Sequence, residues 1–173
     1  KVAKKMKIAY KDLYGPTTEL GRWLRTKNVI EKIGNDLFVH GGFSTELVEA
    51  GLSIHKINEN IRASLGLTFD EIHTKDKTTI LIFGKKGPLW YRGNVDNYTV
   101  SELNMALQHF GGTTIIVGHT SLRNKINRIA DGKVITIDVL QPNRHSETTR
   151  PRGLLKEGDH YYKVDDKDLR ARL

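Results

Sequence analysis

The tetrapeptide Val39-His40-Gly41-Gly42 follows a short apolar run, Leu37-Phe38-Val39, at the point where a strand should end. A second stretch, Ile115-Ile116-Val117-Gly118-His119-Thr120, repeats this arrangement of an apolar strand, a glycine and a histidine. Loops at the carboxyl ends of strands are where α/β proteins place their functional groups. The sequence therefore predicts a functional site that contains both histidines.

Length and composition fit one globular domain or part of a larger one. The chain has 173 residues, of which 38% are hydrophobic and 28% charged, so global disorder is not expected. It has no cysteine, which excludes disulfides, thiolate metal sites and cysteine nucleophiles within this sequence. No run approaches the ~20 apolar residues of a membrane span, and no secretory signal is visible. Either a cytoplasmic or a periplasmic location remains open.

The formal net charge of +8 raises the question of a nucleic-acid partner. The basic residues are spread along the whole chain, and few aromatic residues lie among them. This distribution favours a solvated basic surface over a nucleic-acid interface. A positive field also suits an enzyme that acts on phosphate esters.

Turn signals divide the chain into hairpins and helices. Hairpins are predicted around Gly34-Asn35-Asp36, around Asp131-Gly132 and around Glu157-Gly158-Asp159. The residues from 165 to 173 are expected to form a frayed tail. The run from Thr78 to Phe83 is compatible with either a strand or a buried helix. Helices are predicted over residues 1–14, 19–27, 44–50, 53–66 and 100–110, with Trp23 packed inside and a loop over residues 141–152.

A loop rich in glycine, Gly84-Lys85-Lys86-Gly87-Pro88, leads into Leu89-Trp90-Tyr91-Arg92-Gly93. Two large aromatic residues and an arginine beside a glycine are typical of a functional loop and not of a regular element. This segment is therefore the second part of the predicted site.

Imidazole is a common ligand of divalent transition metals, and neighbouring glycines let the backbone approach a metal or a phosphate closely. A single histidine at a strand end is more often structural, but two in the same context favour a site. The remaining histidines lack partners at ligand spacing and are interpreted as solvated or structural: His55, His73, His109, His145 and His160.

Three blocks together resemble a known family. Val-His-Gly-Gly at 39–42, Gly-Pro-Leu-Trp-Tyr-Arg-Gly at 87–93 and Val-Gly-His-Thr at 117–120 occur in the order found in the calcineurin-like metallophosphoesterases. The resemblance is to the serine/threonine protein phosphatase type, in particular its Shewanella-like bacterial branch. It covers about residues 28 to 140 and includes Ile137-Asp138-Val139, which resembles the closing strand of that family.

The resemblance implies a fold, a metal centre and a mechanism. The fold would be α/β, the C-terminal half of a four-layer αββα sandwich with mixed sheets. His40 and His119 would be ligands in a centre of two divalent metal ions, Mn, Fe or Zn, that activates water for direct hydrolysis of phosphomonoesters or phosphoproteins. Arg92 would grip the phosphate, and Tyr91 and Gly41 would contact substrate.

The chain also departs from the family pattern. The motifs Asp-x-His, Gly-Asp-x-x-Asp-Arg and Gly-Asn-His are absent, and Ser121 stands where many members have a second histidine. Two histidines do not complete a metal site, which normally has about four ligands. Residues 1–173 are therefore expected to be the C-terminal part of one metallophosphoesterase domain, inactive alone. The missing N-terminal half or a second chain would cover its exposed face.

Three other interpretations remain open. The chain is a non-catalytic binding module on a degenerate phosphoesterase fold, a dinucleoside-polyphosphate hydrolase, or a basic nucleic-acid binder. A nucleic-acid binder predicts steeply salt-dependent binding, whereas a phosphatase predicts inhibition by phosphate or tungstate. The Trp-Tyr-Arg-Gly block favours phosphomonoesters or phosphoproteins as substrates.

Overall fold

The computed structural model describes residues 9–122, 125–139, 151–167 and 169–173, which form two sheets and a layer of helices. A 3-10 turn, Tyr10–Tyr14, precedes the regular elements. The strands are β1 Ile30–Ile33, β2 Asp36–Val39, β3 Thr114–Val117, β4 Asn127–Ile129, β5 Val134–Thr136, β6 Arg152–Glu157, β7 His160–Asp165 and β8 Arg170–Arg172. The helices are α1 Glu19–Leu24, α2 Thr45–Glu49, α3 Ile54–Ser64, α4 Phe69–His73, α5 Lys77–Phe83, α6 Gly93–Asp96 and α7 Val100–Phe110.

The larger sheet is mixed and has the strand order β1-β2-β3-β5-β4. Its central strands β2, β3 and β5 are parallel, and the outer strands β1 and β4 are antiparallel to their neighbours. The smaller sheet is antiparallel, with the order β6-β7-β8. The carboxyl ends of β2 and β3 therefore lie side by side, which is where the sequence places the two histidines.

The larger sheet is buried on both faces, and alternate residues of β3 show why. Ile115 and Val117 belong to a core shared with the helices, whereas Ile116 faces a second core shared with the smaller sheet. Successive side chains of a strand point to opposite faces, so an entirely apolar strand requires a cover on each side. The prediction of a strand buried on both faces is confirmed.

Local capping explains most helix boundaries. Thr68 and Thr99 form complete capping boxes with Glu71 and Glu102. The ambiguous segment from Thr78 to Phe83 is helical, because the carboxylate of Asp76 accepts a hydrogen bond from the Thr79 backbone N–H at the start of α5. That bond lowers the pKa of Asp76.

A buried amide attaches the edge strand β1 to α3. The side chain of Asn58 accepts hydrogen bonds from the backbone N–H groups of Val29 and Ile30 and donates one to the Ile30 carbonyl. Polar backbone groups buried beside a helix require such partners. The first predicted hairpin is confirmed, and this contact joins it to the helical layer.

The structure differs from the sequence prediction at both ends of the chain. Residues 1–8 of the predicted first helix lie outside the described residues, as do residues 140–150, including His145 of the predicted loop. Trp23 is 56% exposed and has the Lys27 ammonium over its ring, so the prediction that it packs inside is wrong. Strand β8 pairs with β7 in the segment where the sequence indicated a frayed tail. No helix in the described part of the chain is long and apolar enough to cross a membrane.

The prediction that the chain is the C-terminal half of a four-layer αββα sandwich is wrong for this structure. The described residues form three layers: helices, the five-stranded sheet and the three-stranded sheet. The core between the two sheets contains residues from strands and connecting loops, and none from the described helices. An entirely apolar strand indicates that both faces of its sheet are covered, but it does not indicate how many layers the fold contains.

A buried carboxylate joins the two sheets. Asp36, the first residue of β2, is 1% exposed and accepts hydrogen bonds from the Tyr161 hydroxyl (2.5 Å) and the Lys156 ammonium (2.8 Å). The same hydroxyl lies 3.3 Å from Thr114 Oγ1 on the adjacent strand β3. The bond to Asp36 raises the pKa of Lys156, and burial raises the pKa of Tyr161. A buried carboxylate is tolerated only with such donors.

We expect Asp36→Asn to lower the free energy of unfolding by about 3 kcal/mol, because it leaves Lys156 and Tyr161 without their shared anionic acceptor. Tyr161→Phe, which removes one hydroxyl, should cost about 1–2 kcal/mol. Urea denaturation measures both. The control is Tyr98→Phe, since the half-buried Tyr98 has no hydroxyl hydrogen bond within the described residues. Equal unfolding free energies for Asp36→Asn and wild type would contradict the assigned role.

Candidate functional site

The parallel pairing of β2 and β3 brings the two predicted histidines into direct contact. Val39 is in register with Val117, so His40 and His119 leave the same edge of the sheet. The His40 Nε2 and His119 Nδ1 atoms are 2.6 Å apart, and the ring centroids are 4.4 Å apart. The two imidazoles share one hydrogen bond, and one of the two nitrogens carries its proton.

The backbone at His119 adopts a conformation that is uncommon for a residue with a side chain. Its φ is +57°, and the Thr120 N–H donates to the Gly118 carbonyl at 2.5 Å, which folds the chain tightly around it. Such conformations cost about 1–3 kcal/mol and concentrate at functional sites. The turn buries His119 Nε2, which has no hydrogen-bond partner among the described residues. This nitrogen is therefore a buried polar atom for which the described residues supply no hydrogen bond.

The glycine pair after His40 permits a close backbone contact. Both Gly41 and Gly42 donate their N–H groups to the Pro88 carbonyl, at 2.7 and 3.3 Å. A Cβ on Gly41 would lie within 3 Å of the backbone of Pro88, Leu89 and Tyr91, so only glycine fits. Substrate contact by Gly41 stays a prediction, and its N–H is already bonded within the protein.

Sequence reasoning missed Asn94, which holds the two loops together. This buried side chain accepts a hydrogen bond from the Phe43 N–H (2.6 Å) and donates one to the Phe43 carbonyl (3.0 Å). A Cβ on Gly42 would collide with its oxygen, so the glycine also makes room for the amide. The Gly-Asn pair directly after the aromatic loop was the available signal, but nothing in the sequence gave its partner.

A second brace fixes the glycine-rich loop. Ser44 Oγ donates to the Lys86 carbonyl at 2.8 Å, and the Lys86 ammonium pairs with Glu46 at 2.8 Å. The hydrogen bond between the Lys86 ammonium and the Glu46 carboxylate lowers the pKa of Glu46 and raises the pKa of Lys86. The loop is thereby attached to the first turn of α2, which follows directly from the His40 loop.

The aromatic loop lies beside the histidine pair. The Trp90 ring meets His119 edge-on with centroids 5.8 Å apart. Tyr91 is half-buried, and burial, followed by the charge of Glu102, raises its pKa. The Arg92 guanidinium donates to the Trp90 carbonyl at 3.3 Å. Phosphate contact by Arg92 and substrate contact by Tyr91 stay predictions.

The prediction of two divalent metal ions is wrong for the described part of the chain. Its residues include no group of three or more histidine, cysteine, aspartate or glutamate side chains that would hold a metal. His40 and His119 direct ring nitrogens at each other. The residues that the structure describes therefore do not fit a two-metal centre.

The overall structure is similar to that of solved phosphatases. Two of these are a cold-active protein tyrosine phosphatase at 1.1 Å and a cold-active protein-tyrosine phosphatase of a psychrophile, Shewanella sp.. Each is 32% identical with a TM-score of 0.86, and the match covers 99% of this chain and 49% and 50% of the respective phosphatase chains. A mutant of the cold-active enzyme matches equally well.

The chain thus spans about half the length of the solved structures that it matches. No protein-family model matches the chain, and no curated protein matches it. The predicted assignment to the calcineurin-like metallophosphoesterases is corrected by the structural matches, which bear the name of protein tyrosine phosphatases. The three sequence blocks correspond to the loops of the candidate site, but their resemblance did not establish the family.

We expect Asn94→Ala to lower the free energy of unfolding by about 2–3 kcal/mol, because the variant leaves the buried Phe43 N–H and carbonyl unpaired. It should also speed proteolysis within residues 84–92. Urea denaturation and limited proteolysis measure the two effects. The control, Asn97→Ala, changes an exposed asparagine at the end of the same helix. If both variants behaved alike, Asn94 would not be the connection between the loops.

Proposed function

We propose that this chain carries part of the active site of a phosphatase that hydrolyses phosphomonoesters, with the His40–His119 pair at its centre. The observation that carries the proposal is the contact of the two imidazoles at the carboxyl edge of β2 and β3. The match to the solved structures of protein tyrosine phosphatases, which covers 99% of this chain, supports the proposal.

The residue types limit the chemistry within this chain. With no cysteine, it offers no thiol to attack phosphorus. Hydrolysis requires water to add to phosphorus, the P–O ester bond to break, and the departing oxygen to gain a proton. In this proposal the imidazole pair moves that proton, and the hydrogen bond between His40 Nε2 and His119 Nδ1 couples the two rings. Within the pair, the imidazole that does not carry the transferred proton stabilises the positive charge that develops on the other imidazole.

The substrate class follows from three features. The matched structures are titled protein tyrosine phosphatases, which favours a phosphorylated protein or peptide as substrate. The net charge of +8 attracts the phosphate dianion. The half-buried Arg92 lies on the loop beside the pair, and a guanidinium binds two phosphate oxygens at once. The predicted covering partner, a missing N-terminal half or a second chain, finds no support in the described residues, and the proposal does not use it.

Turnover of p-nitrophenyl phosphate and of a phosphotyrosyl peptide by the full-length gene product tests the proposal. We expect His119→Asn to lower kcat by about 10²–10⁴-fold, because the variant loses proton transfer. Asparagine tolerates the left-handed backbone of His119, so the fold should persist. His40→Asn should have a similar effect, and the double variant should add little, since the pair acts as a unit.

The matched control is His55→Asn, because His55 is an exposed helical histidine whose ion-pair partner within the described residues is Glu59. Its turnover should equal that of the wild type. Full turnover in both His40→Asn and His119→Asn would refute the proposed centre. The same assay in EDTA tests the imidazole chemistry separately: loss of turnover on chelation would overturn proton transfer by the pair alone.

A further inference from the structure

A pocket of about 400 Å³ opens between the two sheets, beside the start of β4. Its size falls within the range of about 300–1,000 Å³ that is usual for small-molecule sites. None of the described residues that line it belongs to the histidine pair or to the aromatic loop. The residues that form its walls include Lys125, Ile126, Arg152, Lys163, Asp165 and Leu169. We refer to it as the Lys125–Lys163 pocket.

The described residues that line the pocket carry more positive than negative charge. Three cationic side chains, those of Lys125, Arg152 and Lys163, accompany one carboxylate, that of Asp165. Asp165 lies opposite Arg152 in the ladder of β6 and β7, so these two charges offset each other. The charges of Lys125 and Lys163 remain, because neither ammonium has an acidic partner within the described residues.

The carboxylate of Asp165 is also bonded to the backbone. Its Oδ1 atom accepts hydrogen bonds from the N–H groups of Lys167, at 2.8 Å, and of Leu169, at 3.1 Å. These bonds fix the carboxylate at the turn between β7 and β8. Because a fixed carboxylate does not follow the flexible lysine side chains, the pocket keeps its positive potential.

The pocket also has apolar walls. Ile126 is 2% exposed and belongs to the core that the two sheets share, so one wall is continuous with that core. Leu169 is 51% exposed and leaves its side chain open to solvent. Apolar surface that lies open beside two cations suits a ligand that combines negative charge with an apolar group.

The two unpaired lysines come from different sheets. Lys125 directly precedes β4 of the larger sheet, and Lys163 lies on β7 of the smaller sheet. A lysine ammonium is a compact point charge, unlike the planar guanidinium of arginine, which binds two oxygens of one group. Two such charges supplied from separate walls match a ligand with two separate anionic groups better than one compact anion.

We propose that the Lys125–Lys163 pocket binds a small organic dianion whose two charges are separated by a short apolar chain, as in an aliphatic dicarboxylate. Each ammonium pairs with one anionic group, and the apolar chain packs on Ile126 and Leu169. This site lies outside the proposed phosphatase centre and does not depend on it. A monoanion of the same length gains only one of the two ion pairs.

Calorimetric titration of the full-length gene product with adipate, hexanoate and succinate tests the site. We expect adipate to bind about tenfold more tightly than hexanoate, which has the same chain length and a single charge, a ratio that corresponds to about 1.4 kcal/mol. Succinate, which has both charges and a shorter chain, should bind about threefold more weakly than adipate. The titrations use low ionic strength, because salt screens exposed charges.

Variants of the pocket identify the groups that bind. Lys125→Gln and Lys163→Gln should each abolish the preference for adipate over hexanoate, because glutamine keeps a polar side chain and removes the charge. Lys163→Arg keeps the charge and should retain the preference. Leu169→Ala should weaken adipate binding by about threefold, because it removes part of the apolar wall.

The matched control is Lys77→Gln, which removes the same charge from an exposed lysine at the start of α5 in the helical layer. It should leave the affinity for adipate unchanged, as should His119→Asn. Equal affinity of adipate and hexanoate for the wild type, or an unaltered preference in both lysine-to-glutamine variants, would overturn the inference and leave the phosphatase proposal intact. Loss of adipate binding in His119→Asn would place the anion at the histidine pair and would overturn it as well.

Discussion

The buried carboxylate of Asp36 is the interaction on which the arrangement of the two sheets depends. It stands at the start of β2, and the donors that compensate its burial, Tyr161 and Lys156, both come from the smaller sheet. An unpaired carboxylate would be too costly in this interior, so the smaller sheet docks where both donors reach it. The same strand carries His40 at its other end, and the docking therefore fixes the scaffold of the candidate site.

At that other end of β2, close backbone contacts position the loops. Gly41 and Gly42 lie against the Pro88 loop so closely that a side chain at Gly41 would collide with backbone atoms. Asn94 closes the same junction by bonding both polar groups of Phe43. A site built in this way is preorganised, because its two loops have few alternative positions, and it tolerates the strained backbone at His119.

The histidine pair shows how far a sequence resemblance extends. Two imidazoles at strand ends are equally compatible with metal ligands and with a hydrogen-bonded pair, and their separation of 79 residue numbers does not distinguish the two. The resemblance located His40, His119 and the aromatic loop, which the structure brings together. It did not establish the family, the four layers or the metal centre, because these depend on groups that the three motifs do not contain.

The sequence by itself determined the local elements: the hairpins at their turns, the helices at their capping residues, and the burial of β3 on both faces. Each of these follows from neighbours within a few positions, through hydrogen bonds, backbone dihedral angles and side-chain periodicity. Only the tertiary structure decided the partners of Asp36 and of Asn94. Those contacts join residues distant in sequence, and packing selects them by shape and polarity, which no local pattern records.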